Sequence, residues 1–264
     1  MKRIYETIIV AFSMFSALPV PAVRWDEDNM RYLLAAFPLV GALIGCLEAV
    51  WIYAAVRLCA PKVLTAALVT AIPVLVTGGI HLDGYADVSD ALSSFADAKK
   101  RREILEDPHI GAFAVIRFGI WLVLSFGFAA GLRASGGQML LFGCSFVVSR
   151  CLSALAVSIL PLAKETGLAH TFRSHADRKK CVYLLTGELL TTAVIMMTGG
   201  GILGGGKCFA QAVLMLLFAG GQWLSLRKTA AEKFGGLSGD LNGWFLVKAE
   251  IWMLAVLSLT NLMM

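Results

Sequence analysis

The densest chemical signal in this 264-residue chain is His81-Leu82-Asp83-Gly84-Tyr85-Ala86-Asp87-Val88-Ser89-Asp90, directly after Gly78-Gly79-Ile80. Asp83, Asp87 and Asp90 are spaced four and three apart, so a helix here carries all three carboxylates on one face, within reach of one another. Like charges that close repel, and a divalent cation is the simplest relief. Hard oxygen donors of this type suit Mg2+, or Mn2+, with phosphate oxygens and water completing the shell. His81 beside them can orient a ligand, donate to a phosphate or move a proton. A single aspartate at a helix start usually caps it and does nothing more. Three on one stripe, beside a histidine and paired glycines, call for a function.

A second cluster, Gly235-Gly236-Leu237-Ser238-Gly239-Asp240-Leu241-Asn242-Gly243, precedes the last apolar run. Glycines such as Gly236 and Gly239 let backbone N–H groups approach a phosphate, with the Ser238 hydroxyl and the Asp240 carboxylate alongside. Gly-rich turns before helices are common, so this cluster gains weight only from its company. A third segment, Lys164 to Arg173, adds cations and His170. His170 and His175 are five apart, a poor helical metal spacing that favours loop histidines. Arg150 sits inside an apolar run, where an ionisable group is expensive and a functional or paired role is the default; it is a candidate substrate anchor. Glu48, Arg117, Glu188, Lys248 and Glu250 also fall in or at the ends of such runs. Gly201 to Cys208 nearly spells a P-loop, but it ends in Cys in place of the metal-binding hydroxyl and follows an apolar helix instead of a strand. It reads as a turn.

The elements that must position these groups are set by lipid. The chain is 58% hydrophobic and 16% charged, against about 45–50% and about 25% in soluble domains. Seven runs, near 32–56, 62–80, 111–132, 138–162, 182–203, 208–226 and 244–263, are long enough to cross a hydrocarbon core. Each must be helical, because backbone in lipid has to satisfy its own hydrogen bonds. The expectation is therefore all-α: one integral membrane domain, 1–264, with about seven spans. Ile4 to Leu18 is apolar but short, contains Glu6 and ends in Pro19-Val20-Pro21, which reads as a short interfacial or re-entrant helix. A signal peptide fits less well, since that end is a poor small-residue cleavage site.

Seven spans put the segments before 32 and the loops 81–110, 163–181 and 227–243 on one side. They carry sixteen Lys and Arg, against four in the opposite connections. The positive-inside rule makes the long loops cytoplasmic, and all three chemical clusters fall on that side. The same asymmetry explains the net charge of +5 as topology bias, not as a groove for nucleic acid. The six cysteines form no CxxC pair and sit mostly in apolar runs, as small buried hydrophobes.

The His81-to-Asp90 run resembles the signature of the cobalamin synthase (adenosylcobinamide-GDP ribazoletransferase) family. Further matches follow in order: Leu18-Pro19-Val20-Pro21 with Trp25, Glu106 to Gly111, Ser149-Arg150, Gly167-Leu168 with Phe172, and Gly235 to Asp240. The resemblance thus covers nearly the whole chain. Departures are His109 where the family usually shows Arg, Ser238 for Thr, Ala17 for a basic residue, and Trp244 for a small one.

The resemblance implies a transferase of the bacterial cytoplasmic (inner) membrane. It joins α-ribazole, or its 5′-phosphate, to adenosylcobinamide-GDP with release of GMP. The implied roles are Asp83, Asp87 and Asp90 on Mg2+, His81 or Asp90 as proton acceptor, and Arg150, Gly236, Ser238, Gly239 and Asp240 around the phosphates or nucleotide. Its partners would be the two substrates and the bilayer. Self-association and contact with other corrinoid-pathway enzymes stay open. The nearest rival is a CDP-alcohol phosphotransferase, but its Asp-Gly-x-x-Ala-Arg core is missing: Asp87 follows Ala86 here. A secondary transporter would place charges at the midplane of repeated halves, whereas these acids gather at one mouth and no repeat is visible.

Overall fold

A computed structural model describes residues 2–262, and among these the secondary structure is helical throughout, with one isolated bridge between Leu162 and Leu237. The helices are α1 (Lys2–Phe15), α2 (Glu27–Met30), α3 (Leu33–Arg57), α4 (Lys62–Thr77), α5 (Ile80–Ser93), α6 (Ala98–Leu105), α7 (Ala112–Ala130), α8 (Gly136–Ile159), α9 (Leu168–His175), α10 (Arg178–Thr229) and α11 (Gly239–Leu259). A π-helical turn, Ala230–Phe234, continues α10.

Among the described residues, five helical stretches are long and apolar enough to cross a membrane, and α4 with α5 forms a further, bent pair. This is a helical membrane bundle, as the apolar runs require. The longest stretch is not one rod. Gly205, with φ 67° and ψ −165°, is non-helical, and a Cβ on Gly200 would lie 3.5 Å from the Cys208 carbonyl oxygen. Eight residues of straight helix would separate those positions by about 12 Å, so the chain reverses at Gly205. The near-P-loop is a turn between two antiparallel helices, as its composition predicts.

One expected boundary moves. The run placed at 62–80 ends at Thr77, because Gly78 and Gly79 are both left-handed (φ 65° and 82°). The chain bends by 96° there, and α5 starts a new direction. The helix bearing the acids is thus a separate element, set across α4 and not a continuation of it.

The polar segments share one end of the bundle. Arg31 pairs with Asp177 at 2.9 Å, Lys164 pairs with Glu106, and Arg102 Nη1 donates to the Phe234 carbonyl at 2.7 Å. The helix α1 stays there too: Arg3 pairs with Asp28, and the Ala17 N–H donates to the Val76 carbonyl. Its buried face (Thr7, Val10, Ala11, Phe15) lies inward, with Phe15 against Phe37. The opposite end is held by a polar knot in which Asn261 bonds both Gln138 and the Gly131 carbonyl, while Gln211 bonds Thr260. In a dry interior such bonds are specific ties, since each unpaired amide would cost about 1–3 kcal/mol.

Candidate active site

The site is built where α5 crosses α11. Two glycines, one on each helix, allow backbone-to-backbone contact. A Cβ on Gly84 would lie 2.8 Å from the Asp240 carbonyl oxygen, and one on Gly243 would lie 3.0 Å from that of His81. Close crossings of this kind need small residues. The result is that Asp83 and Asp87, on α5, are carried up against Asp240 in the first turn of α11. Both glycines lie inside the sequence motifs, but no local pattern marks them as the crossing point.

The expected acidic stripe is real, since α5 is helical over its whole length. Asp83 is exposed and Asp87 half-buried. Burial, and then the charges of Asp83, Asp240 and Asp90, push the Asp87 carboxyl up to about 6. Removing water from a carboxylate and crowding it with like charges both favour the protonated form. The group therefore holds excess negative potential that a hard cation would neutralise. Among the described residues no three His, Cys, Asp or Glu side chains are placed to hold one ion between them.

Asp90 is engaged elsewhere. Its carboxylate faces Gly111 at the start of α7 and accepts the Ala114 N–H at 3.4 Å. The first N–H groups of a helix lack internal partners and attract negative charge, so Asp90 serves α7 as a cap supplied from α5. His81 turns into the bundle. Its ring meets Phe37 edge-on at 5.8 Å, its Nε2 has no partner, and it lines a cavity with Arg150 and Glu250.

Arg150 is fully buried, with Nη1 donating to Glu250 Oε1 at 2.7 Å and to the Phe146 carbonyl at 3.0 Å; Ser149 also donates to Glu250. That pairing ties α8 to α11 and occupies Nη1, while Arg150 Nε and Nη2 have no hydrogen-bond partner.

The glycine cluster divides between packing and site. Gly236 has φ 154°, and a Cβ there would strike the backbone of Leu162 and Ala163. Leu237 N–H donates to Pro161, and Ala163 N–H to Leu237, so this stretch is laced to the 161–163 segment. Ser238 accepts the Leu241 N–H at 3.2 Å as the N-cap of α11. Gly239 is exposed, with open space around it. Ser238, Gly239 and Asp240 line a cavity of about 780 Å3 whose other walls include Arg102, Lys164, Thr166 and His170. Lys164, Thr166 and His170 thus border the same cavity, and His170 and His175, expected in a loop, both lie in the helix α9 (Leu168–His175). Asp97 caps α6 by accepting the Lys100 N–H at 2.8 Å. His109 is a surface residue, bonded to Asp107 at 2.7 Å.

A family model described as cobalamin-5-phosphate synthase matches residues 7–258. The adenosylcobinamide-GDP ribazoletransferase of Lachnoclostridium phytofermentans is 40% identical, covering 93% of this chain and 90% of its own length. Proteins of the same name from Clostridium botulinum and Geobacillus kaustophilus are 32% and 30% identical over 95% and 96% of this chain. No solved structure matches the chain.

Proposed function

The chain belongs to the cobalamin-5-phosphate synthase family, and we propose that it joins α-ribazole, or its 5′-phosphate, to adenosylcobinamide-GDP with release of GMP. The observation that carries the reading is that Asp240, with Asp83 and Asp87 beside it, lines a cavity that also presents Arg102, Lys164 and a glycine-rich turn. In the reaction a ribose hydroxyl oxygen forms a bond to the cobinamide-linked phosphorus. The bond from that phosphorus to the bridging oxygen breaks, and GMP leaves with the oxygen. The hydroxyl proton must pass to a base.

Each part has a residue to perform it. Lys164 and Arg102 supply positive charge to the diphosphate, and the exposed turn at Gly239 leaves room for a phosphate oxygen. Mg2+, with Mn2+ as a substitute, would be held by Asp83 and Asp87. Mg2+ commonly takes one or two carboxylates and completes its shell with substrate phosphates and water, so three preplaced protein ligands are not required. When bound it would offset the diphosphate charge. The proton would go to a carboxylate of this same group, because His81 faces the interior and Asp90 caps α7. The cytoplasmic membrane of a bacterium is the proposed setting, with this end of the bundle toward the cytoplasm, on the strength of the sixteen-to-four charge bias.

The test is direct. Membranes containing the protein are incubated with adenosylcobinamide-GDP, α-ribazole or its phosphate, and Mg2+, with CDP-alcohol substrates as a control. Formation of cobalamin, or its phosphate, together with GMP is expected. Asp83→Asn and Asp87→Asn should each lower turnover at least 100-fold. Normal turnover and metal dependence in both variants would overturn the site assignment.

A further inference from the structure

On the side of the α5–α11 crossing away from the acidic stripe, a groove of about 1490 Å3 runs between α5, α7 and α11. Its walls are aromatic and apolar from Phe113 to Phe128 along α7, a length of about 22 Å at 1.5 Å per residue. Phe113, Ile120, Leu124 and Trp252 are each more than two-fifths exposed, so the groove opens sideways, toward lipid. Two cations interrupt this apolar surface. Arg117 projects from the second turn of α7, and Lys248 from the third turn of α11.

A cation set that far into a spanning helix is costly unless something answers its charge. Among the described residues neither Arg117 nor Lys248 forms an ion pair, and no carboxylate lines the groove. The Lys248 ammonium lies 3.9 Å from the Trp244 ring centre, one turn nearer the start of α11. Helical side chains lean that way, and here the lean carries the charge toward the polar end of the bundle. The Ser89 and Ser93 hydroxyls are spent on their own helix, donating to the Tyr85 and Ser89 carbonyls. The groove therefore offers net positive charge near one mouth and a long greasy wall beneath it.

We propose that this groove binds one anionic phospholipid. Its phosphate lies between Arg117 and Lys248, and an acyl chain runs down past Trp121 and Phe128. A long apolar tail fits the depth and sideways opening of the groove. Two cations without a carboxylate favour a headgroup whose net charge is negative over one whose phosphate is balanced by choline. The lipid would fill the back of α5 and so brace the helix that presents the carboxylates on its other side. This inference needs only the membrane reading of the chain and is independent of the reaction proposed above.

The test uses the full chain reconstituted in nanodiscs containing equal amounts of phosphatidylglycerol and phosphatidylcholine with the same acyl chains. The lipids retained after gentle extraction are counted by native mass spectrometry. Unmodified protein should retain phosphatidylglycerol at least tenfold over phosphatidylcholine. Arg117→Gln/Lys248→Gln should lose that preference, while Lys248→Arg keeps it. Equal retention of the two lipids by the unmodified protein would overturn the proposal, whatever the variants do. So would an undiminished preference in the double variant. A double variant that keeps the preference but needs more than tenfold more phosphorylated ribazole would also overturn it, and would reassign the groove to the acceptor.

Discussion

Gly84 and Gly243 decide how near the carboxylates of α5 come to Asp240, so the smallest possible additions should be felt there. A methyl on Gly84 meets the Asp240 backbone at 2.8–3.2 Å, and neither backbone can yield without moving a helix. Gly84→Ala should cost about 1–3 kcal/mol from overpacking, and it should lower turnover further than its loss of stability explains. The controls are Gly119→Ala and Gly127→Ala on α7, where a Cβ meets nothing within 4 Å. Those should be neutral or gain up to about 1 kcal/mol from helix propensity. Melting in detergent and turnover in membranes, measured on all three, separate the crossing from glycine content in general. The buried pair below makes a second residue-scale case. Glu250→Ala strands a guanidinium that is fully buried and should cost about 3–5 kcal/mol, whereas Arg150→Met/Glu250→Met should recover most of it. Reversible unfolding in mixed micelles reads both. If the double variant were no more stable than the single one, the pair would not be the unit that matters. The charge of Arg150 is plain in the sequence, but its partner lies 100 residues away, beyond the reach of any local pattern. Asp90 is similar: its spacing puts it on the acidic stripe, while its contact, 24 residues on at Ala114, ties it to another helix.

The elements were more legible than the contacts. Apolar length revealed the long helices, and Gly204-Gly205-Gly206 marked the reversal inside what would otherwise be one 57-residue helical run. The three-four spacing of acids required a helix, and α5 is one. The helix α4 ends at Thr77, three residues before the apolar run does, because Ile80 extends that run while Gly78 and Gly79 already turn the backbone. The glycine spacing before α11 suggests a phosphate cradle throughout, yet Gly236 belongs to packing and the part from Leu237 to Asp240 borders the cavity. That division predicts different outcomes within one motif. Gly236→Ala forces a side chain into Leu162 and Ala163 and should leave little folded protein in the membrane. Ser238→Ala removes the cap from Leu241, a loss of about 1 kcal/mol, and should fold with a modest fall in turnover; Ser238→Thr should restore it. Equal expression and equal turnover for Gly236→Ala and the unmodified protein would show that the lacing to 161–163 is dispensable.

At the scale of the whole molecule, charge bias and geometry were independent, and they meet. The sixteen basic residues lie in segments that the fold gathers at one end, through the Arg31–Asp177, Lys164–Glu106 and Arg102–Phe234 contacts. The short connections gather at the other, around Asn261. A bundle whose polar loops alternate between ends would spread its catalytic groups across the bilayer thickness. Here one end holds the carboxylates, the cation-walled cavity and the glycine turn together, so water-soluble nucleotide can reach them from a single compartment. The expected consequence is one-sided accessibility. In a cysteine-free background, Lys99→Cys, Glu165→Cys and Lys233→Cys should react with a membrane-impermeant maleimide only in inverted vesicles. Lys62→Cys and Ala134→Cys, on the opposite connections, should react only in right-side-out ones. All five positions are exposed, so failure to label is not a matter of burial. Reaction of the first three from outside would reverse the orientation that the positive charge assigns, and would require the nucleotide-linked substrate to be supplied from that side.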